Sequence, residues 1–370
     1  MSRDTRSEKR RGVRVRRYAA LLLCLLLLVS LFAGCAGKEP APEPGQKTEE
    51  QDPAPAPVIP PEEPEEEKPP FRYTFVPKVC SSYMEDLFGE TMKETWYNLV
   101  DAVMAGEDTF ACPDEETYLW VMGQFPEQCF PVLNELITYG YDPDHWITDG
   151  RAVFTYLQSR EETAARIREF AELVEGILNS ALEEDYSDLE KALALYVYFA
   201  EHYEYDYVAA DSYTDDQLSS YRVLSQGKGI CGEISGAYSY LLLQCGVDAN
   251  NMSACRSYDG EPHQWSYVKI NGRNFHIDPT YVIGDPISLS YFMMTDEQRE
   301  YEDSYPPEGF IICSNYAQEH PHREYTADDD TFMPLWTGRW TGFDHGTKTI
   351  LYDVWNGTEM VPATFDYTGW

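Results

Sequence analysis

From residue 84 to residue 245 apolar side chains recur mostly every three or four positions, the period of helices that bury one face. Met84, Leu87, Trp96, Leu99 and Val103 carry the pattern first, and Pro113-Asp114-Glu115-Glu116 has the form of a further helix start. Two later helices each open on a capping box, Ser159 with Glu162 and Ser187 with Glu190, where each side chain satisfies the other residue's free backbone N–H. Ala164, Ile167, Ala171, Val174 and Leu178 form one apolar stripe behind the first box, and Leu189, Leu193, Tyr196, Phe199 and Tyr203 another behind the second. Both stripes predict core. A period of two shows in Ala152 to Leu157, read as a strand, and again over residues 263–278, where Asn271-Gly272 between two alternating runs predicts a hairpin with a two-residue turn. From about residue 301 the chain is rich in aromatics, Gly and Asp and predicts a small β appendage; its acidic run Asp328 to Asp330, with Glu324 nearby, lacks Ca²⁺-loop spacing and reads as a solvated turn.

With 370 residues, 43% of them hydrophobic and 14% aromatic, the chain can build two domains of ordinary size. Its first 35 residues read as a targeting signal. Arg10, Arg11, Arg14, Arg16 and Arg17 precede an apolar run from Ala19 to Ala33, which is shorter than the ~20 residues a spanning helix needs. The run ends in Leu31-Phe32-Ala33-Gly34-Cys35, which resembles the bacterial lipobox, although Phe32 stands where Leu is usual. That resemblance implies lipidation of Cys35 and a protein tethered to the outer face of the cytoplasmic membrane; an uncleaved anchor would leave it on the same face. Lys38 to Pro70 holds 11 of the 24 prolines among Glu, Ala and Gln and cannot bury a core, so residues 36–70 read as an extended tether. Residues 71–185 read as a mostly helical region in which no chemistry is legible.

The formal charge is −36, and residues beyond position 17 carry 20 basic against 62 acidic side chains. A field of that sign repels nucleic acid, which excludes it as a partner. No dinucleotide fingerprint, phosphate loop or zinc spacing appears, so no cofactor or metal is expected.

The chemistry concentrates in Gly227-Lys228-Gly229-Ile230-Cys231-Gly232-Glu233-Ile234-Ser235-Gly236-Ala237. Glycines break any preceding helix, and a new one starts with Ile234, Tyr238, Leu241 and Cys245 on one face and Gly246 as its stop. Cys231 thus sits at a helix N-terminus, whose partial positive charge suits an anionic sulfur. Gly232 and Gly236 leave that helix nearly bare, able to lie close against a sheet. In the hairpin, a two-residue turn pairs Ile270 with Arg273 and sets Trp265 opposite Asp278. His263 then shares that face as a diagonal neighbour of Asp278, ~7–8 Å away at the backbone, within reach for an imidazole and a carboxylate. Trp265 lies beside the pair as a shield. His276 is on the same face but inside the strand, which predicts a packed structural role.

The segments Gly-Lys-Gly-Ile-Cys231-Gly, His263-x-Trp265 and Phe-His-Ile-Asp278-Pro279-Thr280 together resemble the bacterial branch of the transglutaminase-like superfamily, over about residues 187–297. The resemblance implies an α+β, papain-like core at residues 186–300, its Cys-bearing helix packed on an antiparallel sheet, between the helical N-terminal region and the β extension at 301–370. It implies Cys231 as nucleophile, His263 as general base and acid, and Asp278 as orienting acid. For the oxyanion, the backbone N–H of Cys231 is the natural donor, and Gln226, five residues upstream, is a second candidate. The expected activity is cysteine-dependent acyl transfer on protein or peptide substrates, with hydrolysis preferred; cross-linking and a non-catalytic binding module at the cell wall are the rivals. Without Cys24 and the lipidated Cys35, seven cysteines remain, and an odd number leaves at least one free thiol.

Overall fold

The computed structural model describes residues 71–212, 218–284, 286–305, 309–310 and 326–370. The expected leader and tether, Cys35 included, lie outside the described residues, as do Cys313 and Glu324.

The N-terminal region runs α1 (Ser82–Phe88), α2 (Glu90–Ala105), β1 (Thr109–Ala111), α3 (Glu115–Gly123), α4 (Phe125–Cys129), β2 (Ile137–Tyr139), β3 (Ile147–Thr148), β4 (Arg151–Tyr156) and α5 (Arg160–Ala181). Met84, Leu87, Trp96, Leu99 and Val103 are all buried, and α3 starts at the anticipated place, with the Asp114 side chain accepting from Thr117 N–H. Sheet is more extensive here than the helical periodicity implies. Strand β4, expected from its alternation, is paired antiparallel by β1, β2 and β3. Those partners are two or three residues long, too short to display a period. In α5 the Ser159–Glu162 box forms, but the buried face is Thr163, Ile167, Phe170, Val174, Ile177 and Leu178, and Ala164 points to solvent. The larger Phe170 and Ile177 take the core positions that the alanines were expected to hold.

The core follows as α6 (Asp188–His202), β5 (Glu204–Tyr205), α7 (Tyr207–Asp211), α8 (Ser220–Gln226), β6 (Lys228–Gly229), α9 (Cys231–Gln244), β7 (Asp248–Cys255), β8 (Pro262–Ile270), β9 (Arg273–Ile277), α10 (Asp296–Asp303) and β10 (Gly309–Phe310). Its sheet is antiparallel in the order β10-β7-β8-β9. The five stripe residues of α6 are all buried, as is the Ile234, Tyr238, Leu241 face of α9, which lies across β7 and β8. Register in the β8–β9 hairpin runs from Ile270↔Arg273 to Ser266↔Ile277, one step short of Trp265 and Asp278. Asn271 and Gly272 form the turn with φ of 52° and 75°, the left-handed pair that a tight hairpin turn requires.

The C-terminal strands β11 (Gly338–Asp344), β12 (Thr349–Trp355) and β13 (Met360–Asp366) form an antiparallel meander. It is fastened to α6 through Glu190, the capping-box residue. That buried carboxylate accepts from Ser187 N–H at 2.7 Å, Tyr367 O–H at 2.7 Å and Lys348 Nζ at 3.1 Å. Burial alone would raise its pKa, but the bonds from Tyr367, Ser187 and Lys348 outweigh it and hold the carboxyl at about 2. Thus α+β architecture, a Cys-bearing helix on an antiparallel sheet and a β-rich C-terminal piece are all present.

Candidate active site

The start of α9 is fixed before any catalytic atom is considered. Gly227 ends α8 in the left-handed region, at φ 78°, and two residues of β6 lead directly into the helix. Glu233, in the first turn, reaches back to accept from Ile230 N–H at 2.9 Å. It also accepts from Ser219 N–H at 2.9 Å and Arg222 Nε at 2.7 Å, and Arg222 bridges on to Asp206 at 2.8 Å. This clamp places Cys231 at the first helical position, half-exposed, with its N–H among those a helix leaves without an intrahelical partner. The bare surface is used as expected at Gly232, where an added Cβ would come 2.7 Å from Gln264 Oε1 on β8. At Gly236 the close neighbour is instead Ser220 of α8, so that glycine admits a helix rather than the sheet.

His263 opens β8 opposite Ala254 of β7 and is buried. Its Nε2 lies 2.7 Å from Asp278 Oδ2. Asp278 stands one residue past β9, anchored by its own N–H to Tyr291 O at 2.9 Å, while its Oδ1 accepts from Thr280 N–H at 3.0 Å. Burial drives the His263 pKa down, but the charge and hydrogen bond of Asp278, followed by the hydrogen bond and charge of Cys231, raise it to about 9. With Nε2 held by the carboxylate, Nδ1 is the nitrogen left for the sulfur. Burial would raise the Asp278 carboxyl too, and His263, Arg299 and Thr280 together hold it below the usual carboxylate range.

Trp265 is fully buried beside this pair, its ring 5.9 Å from that of His263. Its indole N–H donates to His276 Nδ1 at 2.8 Å, and His276 Nε2 meets Asp296 at 2.7 Å. His276 therefore has both nitrogens engaged in packing, and burial lowers its pKa. Tyr281 and Tyr305 cover the other sides of His263, at 5.0 and 4.9 Å between rings.

Cys231 and His263 sit on the divide between two cavities of about 640 Å³ each, which share Tyr205, Glu261 and Pro262. One is walled by Glu127 and Asn134 from the N-terminal region and by Gln264; the other by Tyr207, Tyr281, Ile283 and Tyr305. Burial pushes the Glu127 carboxyl up to about 7, against hydrogen bonds from Ser220 and Asn134. A cleft open on both sides of the Cys231 sulfur admits a chain passing across it.

Gln226 is the last residue of α8, exposed, and lines neither cavity; Gln264, not anticipated from the sequence, lines the first. Arg299 was likewise not legible, because α10 reads Asp-Glu-Gln-Arg-Glu-Tyr-Glu-Asp and has the composition of a solvated helix. Cys245 is a buried core residue, and Cys80, Cys112, Cys129, Cys231 and Cys255 are also free thiols. No cluster of His, Cys, Asp and Glu with metal-binding geometry occurs among the described residues.

Residues 175–279 match the family model of the transglutaminase-like superfamily, so the stretch that carries Cys231, His263 and Asp278 is a transglutaminase-like domain. Solved structures similar to the chain include a candidate cysteine protease from Cytophaga hutchinsonii, at 18% identity over 32% of this chain and 38% of that one, with a TM-score of 0.24. Another is a TGase, at 23% identity over 34% of each chain and a TM-score of 0.28. A third is LapG of Legionella pneumophila, at 15% identity over 32% of this chain and 62% of that one, with a TM-score of 0.23. In each case less than two thirds of the other protein is spanned. No curated protein matches the chain.

Proposed function

We propose that the protein is a cysteine-dependent acyl-transfer enzyme that hydrolyses peptide or amide bonds, held outside the cell by a lipid on Cys35. The observation that carries this reading is the His263–Asp278 contact of 2.7 Å, with Cys231 and His263 lining the same two cavities. In the reaction the sulfur anion adds to the substrate carbonyl, and the oxyanion is received by the Cys231 N–H. Gln264, whose amide lies against Gly232, is better placed than Gln226 to give a second hydrogen bond. His263, protonated at neutral pH, delivers a proton to the departing amine as the C–N bond breaks, which leaves a thioester. Neutral His263 then takes a proton from water as the oxygen attacks, and the carboxylic acid departs from the regenerated sulfur.

An amine in place of water would make the same thioester a cross-link. Glu127 is the one observation that favours that second reading, since its carboxyl at a cavity wall, ionised as pH rises past about 7, then offers a lysine amine an ionic partner. The test uses the full chain and a Cys231→Ala variant, assayed for casein and wall-peptide cleavage and for incorporation of a fluorescent amine. Cleavage lost in the variant supports hydrolysis, and Cys231-dependent incorporation supports cross-linking. Absence of both, with intact folding, would leave a binding module.

A further inference from the structure

Among the described residues Arg299 is the one fully buried arginine, and it comes from α10, beyond the stretch that matches the superfamily. Its Nη1 lies 2.9 Å from Asp278 Oδ2, the same oxygen that His263 Nε2 meets at 2.7 Å. The guanidinium is boxed by aromatic faces, 4.7 Å from the Trp265 centroid, 5.3 Å from Tyr305 and 5.9 Å from Tyr281. Those three rings are the ones that also surround His263. Burying a guanidinium is unfavourable unless an anion is buried with it. Here the anion is the carboxylate of the proposed triad.

Resting on the enzymatic reading above, we propose that Arg299 is a positioning residue of the active site: it fixes Asp278 Oδ2 and balances its charge, so that His263 remains able to give its proton away. Two cations meeting on one oxygen leave the carboxylate a single orientation, with Thr280 N–H holding Oδ1. With Arg299 present, the Asp278 carboxylate is shared between a guanidinium and the imidazole ring. Without it the whole carboxylate charge falls to the ring, the imidazolium is held more tightly, and a more basic His263 is a poorer acid for the leaving amine. The other groups around His263 are Tyr281 and Tyr305; Arg256 lies over Tyr305 and pairs with Glu261 at the cleft mouth. His276 and Asp296 lie behind Trp265.

The experiment is an NMR titration of the His263 ring in ¹³C-histidine-labelled full chain, assigned with His263→Asn, for the unsubstituted protein, Arg299→Gln and Arg299→Lys. Nitrogens meeting on one oxygen lie within about 6 Å, and removing a unit charge at that distance, at an effective dielectric constant of about 20, moves a titration by roughly one to two pH units. Arg299→Gln is therefore expected to raise the His263 midpoint by about that amount, and Arg299→Lys, which keeps the charge on a shorter stem, by less. If Arg299→Gln does not fold, the upward shift in Arg299→Lys carries the test. An unmoved midpoint in whichever variants fold, with only a lower melting temperature, would overturn the proposal and leave Arg299 as packing. Alkylation of Cys231 in the unsubstituted protein is measured beside it: if that is slow and independent of His263, the enzymatic reading fails on its own account.

Discussion

A histidine raised to about 9 stays protonated across the neutral range, so in the proposed reaction His263 enters as the acid that the leaving amine needs. The upper limb of the kcat/KM profile is expected near pH 9, and a limb near the ordinary histidine value of 6.5 would show that Asp278 and Cys231 do not act on the ring. The same shift has a stability consequence. Because the folded value lies above 6.5, His263's contribution is complete below about pH 6.5 and is lost as pH rises through about 9. Denaturant titrations at pH 6 and above pH 9 should show that loss in the unsubstituted protein and not in His263→Ala. Asp278→Asn keeps the shape but removes the charge that orients the ring, and kcat is expected to fall by about 10²–10⁴-fold. Of these residues, Cys231, His263 and Asp278 were legible because glycine punctuation and an Asn-Gly turn fix where each side chain stands. Arg299 was not: it is 21 residues beyond Asp278 on an acidic helix, and nothing local marks which of its side chains turns inward.

Among the elements, capping boxes and hairpin register were legible for the same reason, that each is decided within a few residues by hydrogen bonds of fixed geometry. The α5 stripe was rotated towards Ala164 because a small side chain satisfies an apolar period without claiming the core, and Phe170 and Ile177 outbid it in buried area. The small sheet around β4 was illegible for lack of length. Glu190 shows a capping residue used twice, once to close α6 and once to dock the C-terminal meander. Its folded pKa is lowered, so its contribution is present above the ordinary glutamate range near 4.5 and fades as pH falls towards 2. Glu190→Gln would leave Lys348 and the Tyr367 hydroxyl facing a neutral amide, at a cost of about 3 kcal/mol. Hydrogen exchange should localise the loosening to β11–β13, and uniform exchange across the chain would contradict that docking.

For the whole molecule, the N-terminal region acquires a part that its sequence did not disclose, since α4 carries Glu127 to the cavity beside Cys231. The cleft lining holds Glu204, beside Glu233 and Glu261 that are paired with Arg222 and Arg256 and a Glu127 whose pKa is about 7, and, among the described residues, no lysine or arginine, within a chain of formal charge −36. Such a field favours basic over acidic peptides, and the preference should shrink as salt rises from about 0.01 to about 0.5 M, where the Debye length contracts from about 30 to under 5 Å. A preference that ignores ionic strength would place specificity elsewhere. The central claim, that sulfur, imidazole and carboxylate act as one unit, has an internal control in the exposed thiol of Cys255. The decisive measurement is the rate of iodoacetamide alkylation at Cys231 relative to Cys255 at neutral pH, followed by peptide mass spectrometry with and without His263→Ala. The account predicts that Cys231 reacts faster by about tenfold or more and falls to the Cys255 rate without the imidazole; equal rates in the unsubstituted protein, unchanged by the substitution, would contradict it.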